Sequence, residues 1–146
     1  MDTSTGIVVP AQLVYLQKML DFVTSFTKKA GFDLKRIREI ELCVEEVLVN
    51  IFNYAYPATT GDVALVFQPG PEDTLEIRIQ DTGIPFNILS VNDPDINAGI
   101  DERQIGGLGI FFVRQLMDRV EYRRDHDRNI LSLFVKMPPQ RELSGG

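Results

Sequence analysis

The sequence predicts an α+β domain, because helical and extended segments occur in separate runs along the chain. Several stretches repeat apolar residues at the three- and four-residue spacing of an amphipathic helix. Shorter stretches between turn-forming residues alternate apolar with polar residues or are rich in β-branched residues, as strands are. The length of 146 residues fits one domain, and a domain of this size can bury about 68–70% of the surface of its unfolded chain.

The first predicted elements are an edge strand and two helices. The strand spans residues 6–10 and ends at a proline. The amphipathic helix that follows has an apolar stripe made by Leu13, Leu16, Leu20, Val23 and Phe26. The second helix starts after Asp33, its predicted N-cap, and runs from about residue 34 to 56. Its apolar stripe is made by Ile37, Ile40, Val44, Val47 and Ile51.

Two strands and a long loop come next. The strands span residues 63–67 and 74–80. In the second strand apolar and polar residues alternate, so we expect one face to be buried and the other to be in water. Residues 81–105 show no clear periodicity and are interpreted as a loop with room for one helical turn. Loops of this length inside compact domains are usually functional.

A third helix and two strands complete the predicted domain. The helix spans residues 109–118, and the strands span residues 119–123 and 129–137. The helix offers four apolar side chains to the core, those of Ile110, Val113, Leu116 and Met117. The tail after residue 139 is expected to fray.

Composition narrows the class of partner. The chain has 15 basic and 21 acidic residues and a net charge of −6, which argues against a broad electrostatic hold on nucleic acid. It has no apolar run near the roughly 20 residues of a membrane span, no secretory signal at its start, and a single cysteine, Cys43, which cannot form an internal disulfide. We therefore expect a cytoplasmic protein with no nucleic-acid or membrane partner. Any bound anion would be held by backbone N–H groups, a helix N-terminus or a cation.

Glu46 and Asn50 form the first candidate site. Residues four apart on a helix lie on one face, about 6 Å apart along the axis, so the carboxylate and the amide oxygen can point at one small volume. Magnesium prefers hard oxygen ligands and commonly keeps several waters while it bridges phosphates. The asparagine then fits a metal ligand and the glutamate fits a base or a water-holding group. Both residues also fit a solvated polar helix face.

Asp81-Thr82-Gly83 stands where an alternating strand breaks into the long loop. An aspartate there can accept a hydrogen bond from an exocyclic amine, such as that of adenine, and the glycine lets the backbone approach a flat ligand closely. The motif also fits an ordinary strand-ending turn, because Asp-x-Gly is a common turn sequence.

Gly106-Gly107-Leu108-Gly109 lies between the long loop and the third helix. Free N–H groups, the positive end of a helix dipole and the absence of Cβ atoms suit such a segment to a bound phosphate. The segment is neither a P-loop nor a dinucleotide-binding fingerprint, and it also fits a plain hinge. The loop before it could fold over a nucleotide as a lid, with Arg103 either meeting a phosphate or facing solvent.

These motifs occur in one order along the chain: Glu46-x-x-x-Asn50, then Asp81-x-Gly83-x-Pro85-Phe86, then Gly106-Gly107-Leu108-Gly109-Ile110. In this order and spacing they resemble the anti-sigma-factor serine/threonine kinases of bacterial partner-switching systems. These kinases lie within the ATPase superfamily of histidine kinases, gyrase, Hsp90 and MutL. The likeness covers about residues 7–137.

The resemblance implies a Bergerat-type ATP-binding fold. This is a two-layer α/β sandwich, in which helices cover one face of a mixed, mainly antiparallel sheet and ATP lies between the helices and the lid. The resemblance also implies one ATP-binding kinase-like domain over residues 1–146, with a core of about residues 7–137 and a flexible tail at 139–146.

For the site, the resemblance implies that Asn50 coordinates Mg²⁺ and that Glu46 is the catalytic base for an attacking serine hydroxyl. Asp81 would contact the adenine amine. The other residues expected against the nucleotide are Gly83, Pro85, Phe86, Arg103, Gly106, Gly107, Leu108 and Gly109. The implied cofactors are therefore ATP and Mg²⁺.

The resemblance also points to partners. The implied substrate is a serine or threonine of an anti-sigma-factor antagonist protein, a sigma factor is the second type of partner, and a homodimer is compatible with the family likeness. A noncatalytic module, whose nucleotide state sets its affinity for a partner, stays open as the alternative. A histidine kinase with its own phospho-acceptor is disfavoured, because the only histidine, His126, lies in a charged turn between predicted strands.

Overall fold

The computed structural model describes residues 4–90 and 107–139 of the chain. Its sheet has five strands, which are β1 (Thr5–Pro10), β2 (Asp62–Pro69), β3 (Thr74–Asp81), β4 (Arg119–Asp125) and β5 (Arg128–Lys136). Their order in the sheet is β1-β2-β3-β5-β4, and every described pairing is antiparallel. The predicted α+β class with a mainly antiparallel sheet is confirmed, and the predicted strand ends lie within two residues of the observed ones.

Helices pack against one face of this sheet. They are α1 (Leu16–Lys29), α2 (Leu34–Tyr54) and α3 (Gly107–Leu116), with short 3-10 turns at Leu13–Tyr15 and Ile88–Ser90. The second of these turns lies in the predicted loop, of which residues 91–105 fall outside the described part, as does most of the predicted tail. Within the described residues, no helix combines the length and the apolar character needed to cross a bilayer.

The predicted N-cap of α2 is confirmed. The Asp33 carboxylate accepts a hydrogen bond from the Arg36 main-chain N–H at 2.8 Å, which satisfies one of the unpaired donors of the first turn. The helix ends at Tyr54, not at the predicted residue 56. Just beyond it, the carbonyl of Ala55 accepts the Ile84 N–H at 2.9 Å, so the end of α2 is attached to the loop after β3.

The bounds of α3 also differ from the prediction. The helix begins at Gly107, two residues early, and ends at Leu116. It does not reach residue 118, because the Asp118 N–H donates to the Phe134 carbonyl at 3.0 Å and thereby directs the chain into β4. Val113 is buried, as predicted for this helix.

The core lies between the helices and the sheet. Its fully buried side chains include Met19, Val23, Ile40, Val44, Val47, Val63, Leu65, Phe67, Ile77 and Leu133. Four of them belong to the predicted stripes, namely Val23, Ile40, Val44 and Val47. Because the partly buried Leu16, Leu20, Phe26 and Ile51 also pack against this core, the stripes are confirmed with one exception. Leu13 lies in the 3-10 turn before α1 and is 65% exposed, so its assignment to the first stripe is wrong.

The outer face of β3 is less open to water than its alternation predicts. Glu76, on that face, is only 8% exposed and accepts hydrogen bonds from Gln68 (2.9 Å) and Ser132 (2.7 Å). Burial by itself raises the pKa of this carboxyl, but these two donors and the Arg78 guanidinium together lower the pKa below its usual value. Neighbouring strands supply Gln68 and Ser132, which is why the pattern within β3 alone does not reveal these two partners.

Candidate functional site

A pocket opens between the second half of α2 and the sheet. Its lining comes from five parts of the chain, namely α2, β3, the loop after β3, β4 and β5. Among the lining side chains are Val47, Asn50, Ile51, Tyr54, Ala55, Ile79, Asp81, Phe86, Ile88, Tyr122, Asn129 and Leu131. The fold therefore brings together two of the clusters that the sequence singled out, the one at Asn50 and the one at Asp81.

Asn50 lines this pocket and has one side-chain atom engaged within α2. The side chain is 7% exposed, and its Nδ2 donates to the main-chain oxygen of Glu46, one turn earlier, at 2.7 Å. This bond fixes which end of the amide is nitrogen, because a carbonyl can only accept. Within the described residues no donor meets Oδ1, so Oδ1 is the atom that could hold a hard cation.

Glu46 lies one helical turn from Asn50 but does not line the same pocket. Its side chain is half-buried. Burial raises the pKa of this carboxyl, the Asn50 amide offsets part of that effect, and the negative charge of Glu45 adds to it. A carboxylate with a raised pKa accepts a proton more readily near neutral pH, which is a property of general bases.

Asp81, the last residue of β3, is 6% exposed and lines the pocket. Its Oδ1 accepts two hydrogen bonds, from the Gly83 N–H at 2.8 Å and from the Asn129 side chain at 2.9 Å. Its second oxygen, Oδ2, receives no donor from the described residues. The carboxylate can therefore accept one further hydrogen bond from a ligand.

The structure gives Gly83 a role within the fold. A Cβ atom at this position would lie 2.2 Å from the carbonyl oxygen of Ala55, at the end of α2. Such a contact is far too short, so only glycine allows the loop to pass this close to the helix end. The approach of this glycine to a flat ligand stays a prediction.

The two residues after this turn differ in their relation to the pocket. Phe86 lines the pocket, is 40% exposed, and stacks with Tyr54 at a ring-centroid distance of 6.5 Å. The Tyr54 ring, itself 36% exposed, therefore covers part of the same opening. Pro85 is exposed and is absent from the lining.

The glycine motif falls partly outside the described residues. Arg103 and Gly106 lie outside them, whereas Gly107, Leu108 and Gly109 form the first turn of α3. The main-chain N–H groups of a first helical turn have no partner within the helix. This backbone position is the one that the prediction of a phosphate site requires, and contact with a phosphate stays a prediction.

Sequence patterns did not reveal two residues that line the pocket, Tyr122 and Asn129, or one that contacts the loop beside it, Arg124. The Tyr122 hydroxyl donates to Asn129 Oδ1 at 2.6 Å, and the Arg124 guanidinium donates to the carbonyl of Gly83 at 2.9 Å. One signal was available for Asn129: it is a polar residue in phase with the buried positions Leu131 and Leu133 of the same strand. A polar side chain on the buried face of a strand needs a hydrogen-bonding partner.

The fold and the pocket together define the class of this protein. A family model described as "Histidine kinase-like ATPase domain" matches residues 9–135, and the chain belongs to this family. The family predicted from the three motifs is thereby confirmed at the level of the superfamily, and so is the expectation of an ATPase domain.

Among curated proteins, the chain is similar to two named "Serine-protein kinase RsbW". The one from Bacillus mycoides (strain KBAB4) is 26% identical and the one from Bacillus cereus (strain AH187) is 28% identical. Each match runs over 127 residues, which is 84% of this chain and 79% of the relative. These relatives confirm the predicted likeness to serine kinases within the superfamily.

Among solved structures, the chain resembles a histidine kinase domain from Erythrobacter litoralis EL346 blue-light activated histidine kinase. The TM-score is 0.55 at 19% sequence identity, and the match covers 88% of this chain. This chain spans 62% of the length of that solved chain. The likeness supports the fold, which both proteins share.

Proposed function

We propose that this chain is a protein serine/threonine kinase that uses ATP and Mg²⁺ to phosphorylate an anti-sigma-factor antagonist protein in a bacterial regulatory switch. One observation carries the proposal: Asn50 and Asp81, each with a side-chain oxygen that receives no donor from the described residues, line a single pocket, and Glu46 lies one helical turn from Asn50. The serine-kinase names of the curated relatives support the reaction class.

The adenine base belongs at Asp81 in this proposal. The pocket there is mainly apolar, with Val47, Ile79 and Leu131 beside the carboxylate, which suits a flat purine. Asp81 Oδ2 accepts the hydrogen bond of the exocyclic amine. The triphosphate then extends along α2 toward Asn50.

The position of α3 supports a phosphate site near Asn50. Leu116, the last residue of α3, is hydrogen-bonded to Arg36, and the two helices are in contact. α3 has 10 residues and is therefore about 15 Å long, which is also about the distance along α2 from Arg36 to Glu46. We infer that α3 runs back along α2, so that Gly107 comes level with Glu46. The free N–H groups of its first turn then face the phosphates.

Asn50 Oδ1 and phosphate oxygens would hold the magnesium ion, with waters completing its shell. Within the described residues there is no group of three His, Cys, Asp or Glu side chains that could bind a metal by themselves. A bound magnesium ion neutralises charge on the transferring phosphoryl group. Arg103, in the segment before α3, is proposed to contact the phosphates from the lid.

Glu46 acts as the base for transfer. It takes the proton of the substrate hydroxyl, the hydroxyl oxygen forms a bond to the γ-phosphorus, and the bond from that phosphorus to the β-phosphate oxygen breaks, which releases ADP. Its half-buried position and raised pKa suit this role.

The partner classes follow the family likeness: an antagonist protein as substrate, a sigma factor as a second partner and a homodimer as the assembly, all in the cytoplasm. We also propose that residues 1–146 form one such domain.

Calorimetry of ATP binding with and without magnesium tests the site, on the wild type and on Asn50→Ala. We expect Asn50→Ala to lose only the magnesium-dependent part of the affinity. Asn53→Ala, an exposed asparagine about one turn further along α2, is the matched control and should behave as the wild type. ATP binding that is insensitive to magnesium in the wild type would contradict the metal site, and absence of ATP binding would contradict the whole proposal.

A second candidate function is a noncatalytic switch, in which bound nucleotide sets the affinity for a partner without transfer. The observation that favours it is the position of Glu46 outside the pocket lining. The two functions differ in the product, because only the kinase forms phosphoserine or phosphothreonine. Incubation with γ-labelled ATP and candidate antagonist proteins distinguishes them.

A further inference from the structure

Asn129 makes four hydrogen bonds at the pocket. Its Nδ2 donates to Asp81 Oδ1 at 2.9 Å and to the main-chain oxygen of Ile84 at 2.8 Å. Its Oδ1 accepts from the Tyr122 hydroxyl at 2.6 Å and from the Phe86 N–H at 3.3 Å. These partners use both N–H groups and both lone pairs of the amide. A reversed amide would place its oxygen against two other oxygens, so the observed orientation is the only one that is satisfied.

The sheet sets the position of Asn129. In the antiparallel pairing of β3 with β5, Asp81 lies directly opposite Asn129, and residues opposite each other on one face of a sheet have their Cβ atoms about 4.5–5.5 Å apart. Asn129 is 6% exposed, so solvent does not compete for its hydrogen bonds. The sheet register therefore brings the two side chains together, and the loop atoms Ile84 O and Phe86 N–H complete the hydrogen bonds of the amide.

This contact makes the two oxygens of Asp81 unequal. Oδ1 already accepts from Asn129 and from the Gly83 N–H. In the described part of the chain, every fully enclosed side-chain N or O atom has a hydrogen-bond partner, whereas Oδ2 receives no donor there, so Oδ2 is not fully enclosed. Asp81 itself lines the pocket. The carboxylate thus offers a ligand one acceptor in a fixed plane.

We propose that Asn129 is a positioning residue that determines which purine this pocket accepts. The inference rests on the proposed function, which puts adenine at Asp81. Because Asn129 and the Gly83 N–H both donate to Oδ1, Oδ2 is the oxygen left to receive an N–H of a 6-amino group. A 6-oxo purine would bring an acceptor against an acceptor, which costs the desolvation of both groups without a bond.

The test compares two ligands that differ only at C6 of the base. They are ADP and the diphosphate of purine riboside, which has a hydrogen atom in place of the amino group. Their binding to the full chain is measured by calorimetry for the wild type, Asn129→Leu, Asn129→Ser and a control, Gln80→Leu. Leucine has the branching of asparagine without its polar atoms, and serine keeps one donor. Gln80 is the neighbour of Asp81 in the chain, on the opposite face of the sheet.

We expect the wild type to prefer ADP over its analogue. In Asn129→Leu the preference for ADP over the analogue should fall about tenfold or more, because that is the typical effect of losing a hydrogen bond to a charged group. The affinity for the analogue should stay unchanged. Asn129→Ser should restore part of the preference, and Gln80→Leu should keep all of it. If Asn129 had a purely structural role, its replacement would weaken the binding of both ligands by the same factor.

An unchanged preference in the Asn129 variants, or an equal loss for both ligands, would overturn this inference and leave the proposed function standing. If circular dichroism shows that Asn129→Leu does not fold, the test rests on Asn129→Ser. A reduced preference of this variant for ADP supports the inference, and an unchanged preference refutes it. A wild type that binds neither ligand would refute the proposed function itself.

Discussion

Arg36 donates a guanidinium N–H to the main-chain oxygen of Leu116, and this bond joins the first turn of α2 to the last residue of α3. The same guanidinium pairs with Asp118 at 3.1 Å, and the Asp118 carboxylate accepts the Lys136 N–H of β5 at 2.7 Å. A cation at the C-terminal end of a helix also interacts favourably with the helix dipole. One side chain therefore connects two helices and the sheet.

Replacement of Arg36 by alanine should destabilise the protein. Because the variant leaves the Leu116 carbonyl and the Asp118 carboxylate without this donor, we expect the free energy of unfolding to fall by about 1–3 kcal/mol. Denaturant unfolding followed by circular dichroism measures the change. Arg38→Ala, an exposed arginine on the same helix, is the control and should change stability by no more than about 0.5 kcal/mol. Equal changes in the free energy of unfolding for the two variants would mean that the contacts of Arg36 contribute nothing to stability.

Glu46→Gln should separate binding from transfer. Glutamine keeps the shape of the side chain but cannot take a proton, so we expect ATP binding to persist and phosphate transfer to fall by a factor of about 10²–10⁴. Transfer is measured with γ-labelled ATP and an antagonist protein, and binding is measured by calorimetry. Glu45→Gln, the exposed neighbour, removes the same charge and should keep full activity. Full transfer by Glu46→Gln would exclude its role as the base.

Gly83→Ala should be strongly destabilising. The added Cβ would lie 2.2 Å from the Ala55 oxygen and 2.7 Å from the Ala55 Cβ, and backbone atoms cannot move aside cheaply. We expect a loss of at least about 2 kcal/mol, as for other overpacked sites. Thr82→Ala, at the exposed position next to it, gives the comparison in thermal unfolding. A Gly83→Ala protein as stable as the wild type would show that the loop can leave the helix end without cost.

Glu76 should make stability depend on pH. Its pKa in the folded protein is lowered from the ordinary value of 4.5, so the unfolded chain binds protons more readily than the folded one. Stability from this group is therefore fully present above about pH 4.5 and is lost as the pH falls through the lowered folded pKa.

Denaturant unfolding of Glu76→Gln at a series of pH values checks this dependence. The variant should be less stable than the wild type near neutral pH, and the difference should shrink as the pH falls below about 4.5. Glu121→Gln changes a carboxylate on the same face of the sheet whose side chain is 46% exposed, and it should show a smaller difference. A difference for Glu76→Gln that does not vary with pH would contradict the role of its ionised form.

Local patterns predicted most of the fold. The stripe of α2 and its Asp33 cap depend on neighbours within one or two turns, which the sequence displays directly. The predictions failed where distant segments decide the outcome. Leu13 fits the helical stripe but lies in the 3-10 turn ahead of the helix, and Glu76 fits a solvated face but is enclosed by side chains of β2 and β5.

The sequence likewise predicted only some residues of the candidate site. Asn50 and Asp81 could be found because each stands in a short motif with a chemical meaning. Tyr122 and Asn129 could not be assigned to the site, because their partners are fixed by the pairing of β5 with β3 and β4. An asparagine at the start of an apolar strand indicates that its side chain needs a hydrogen-bonding partner, but only the register of the sheet determines which residue that partner is.

The order of strands has a consequence for synthesis of the protein. β5 lies between β3 and β4 in the sheet, so Asp81 and Asn129, 48 positions apart, meet only after the β4–β5 hairpin has inserted. A nascent chain still lacking β5 would hold Asn50 and Asp81 but not the amide that orients the carboxylate. Capture of a ligand at this pocket therefore has to wait until β5 has emerged from the ribosome.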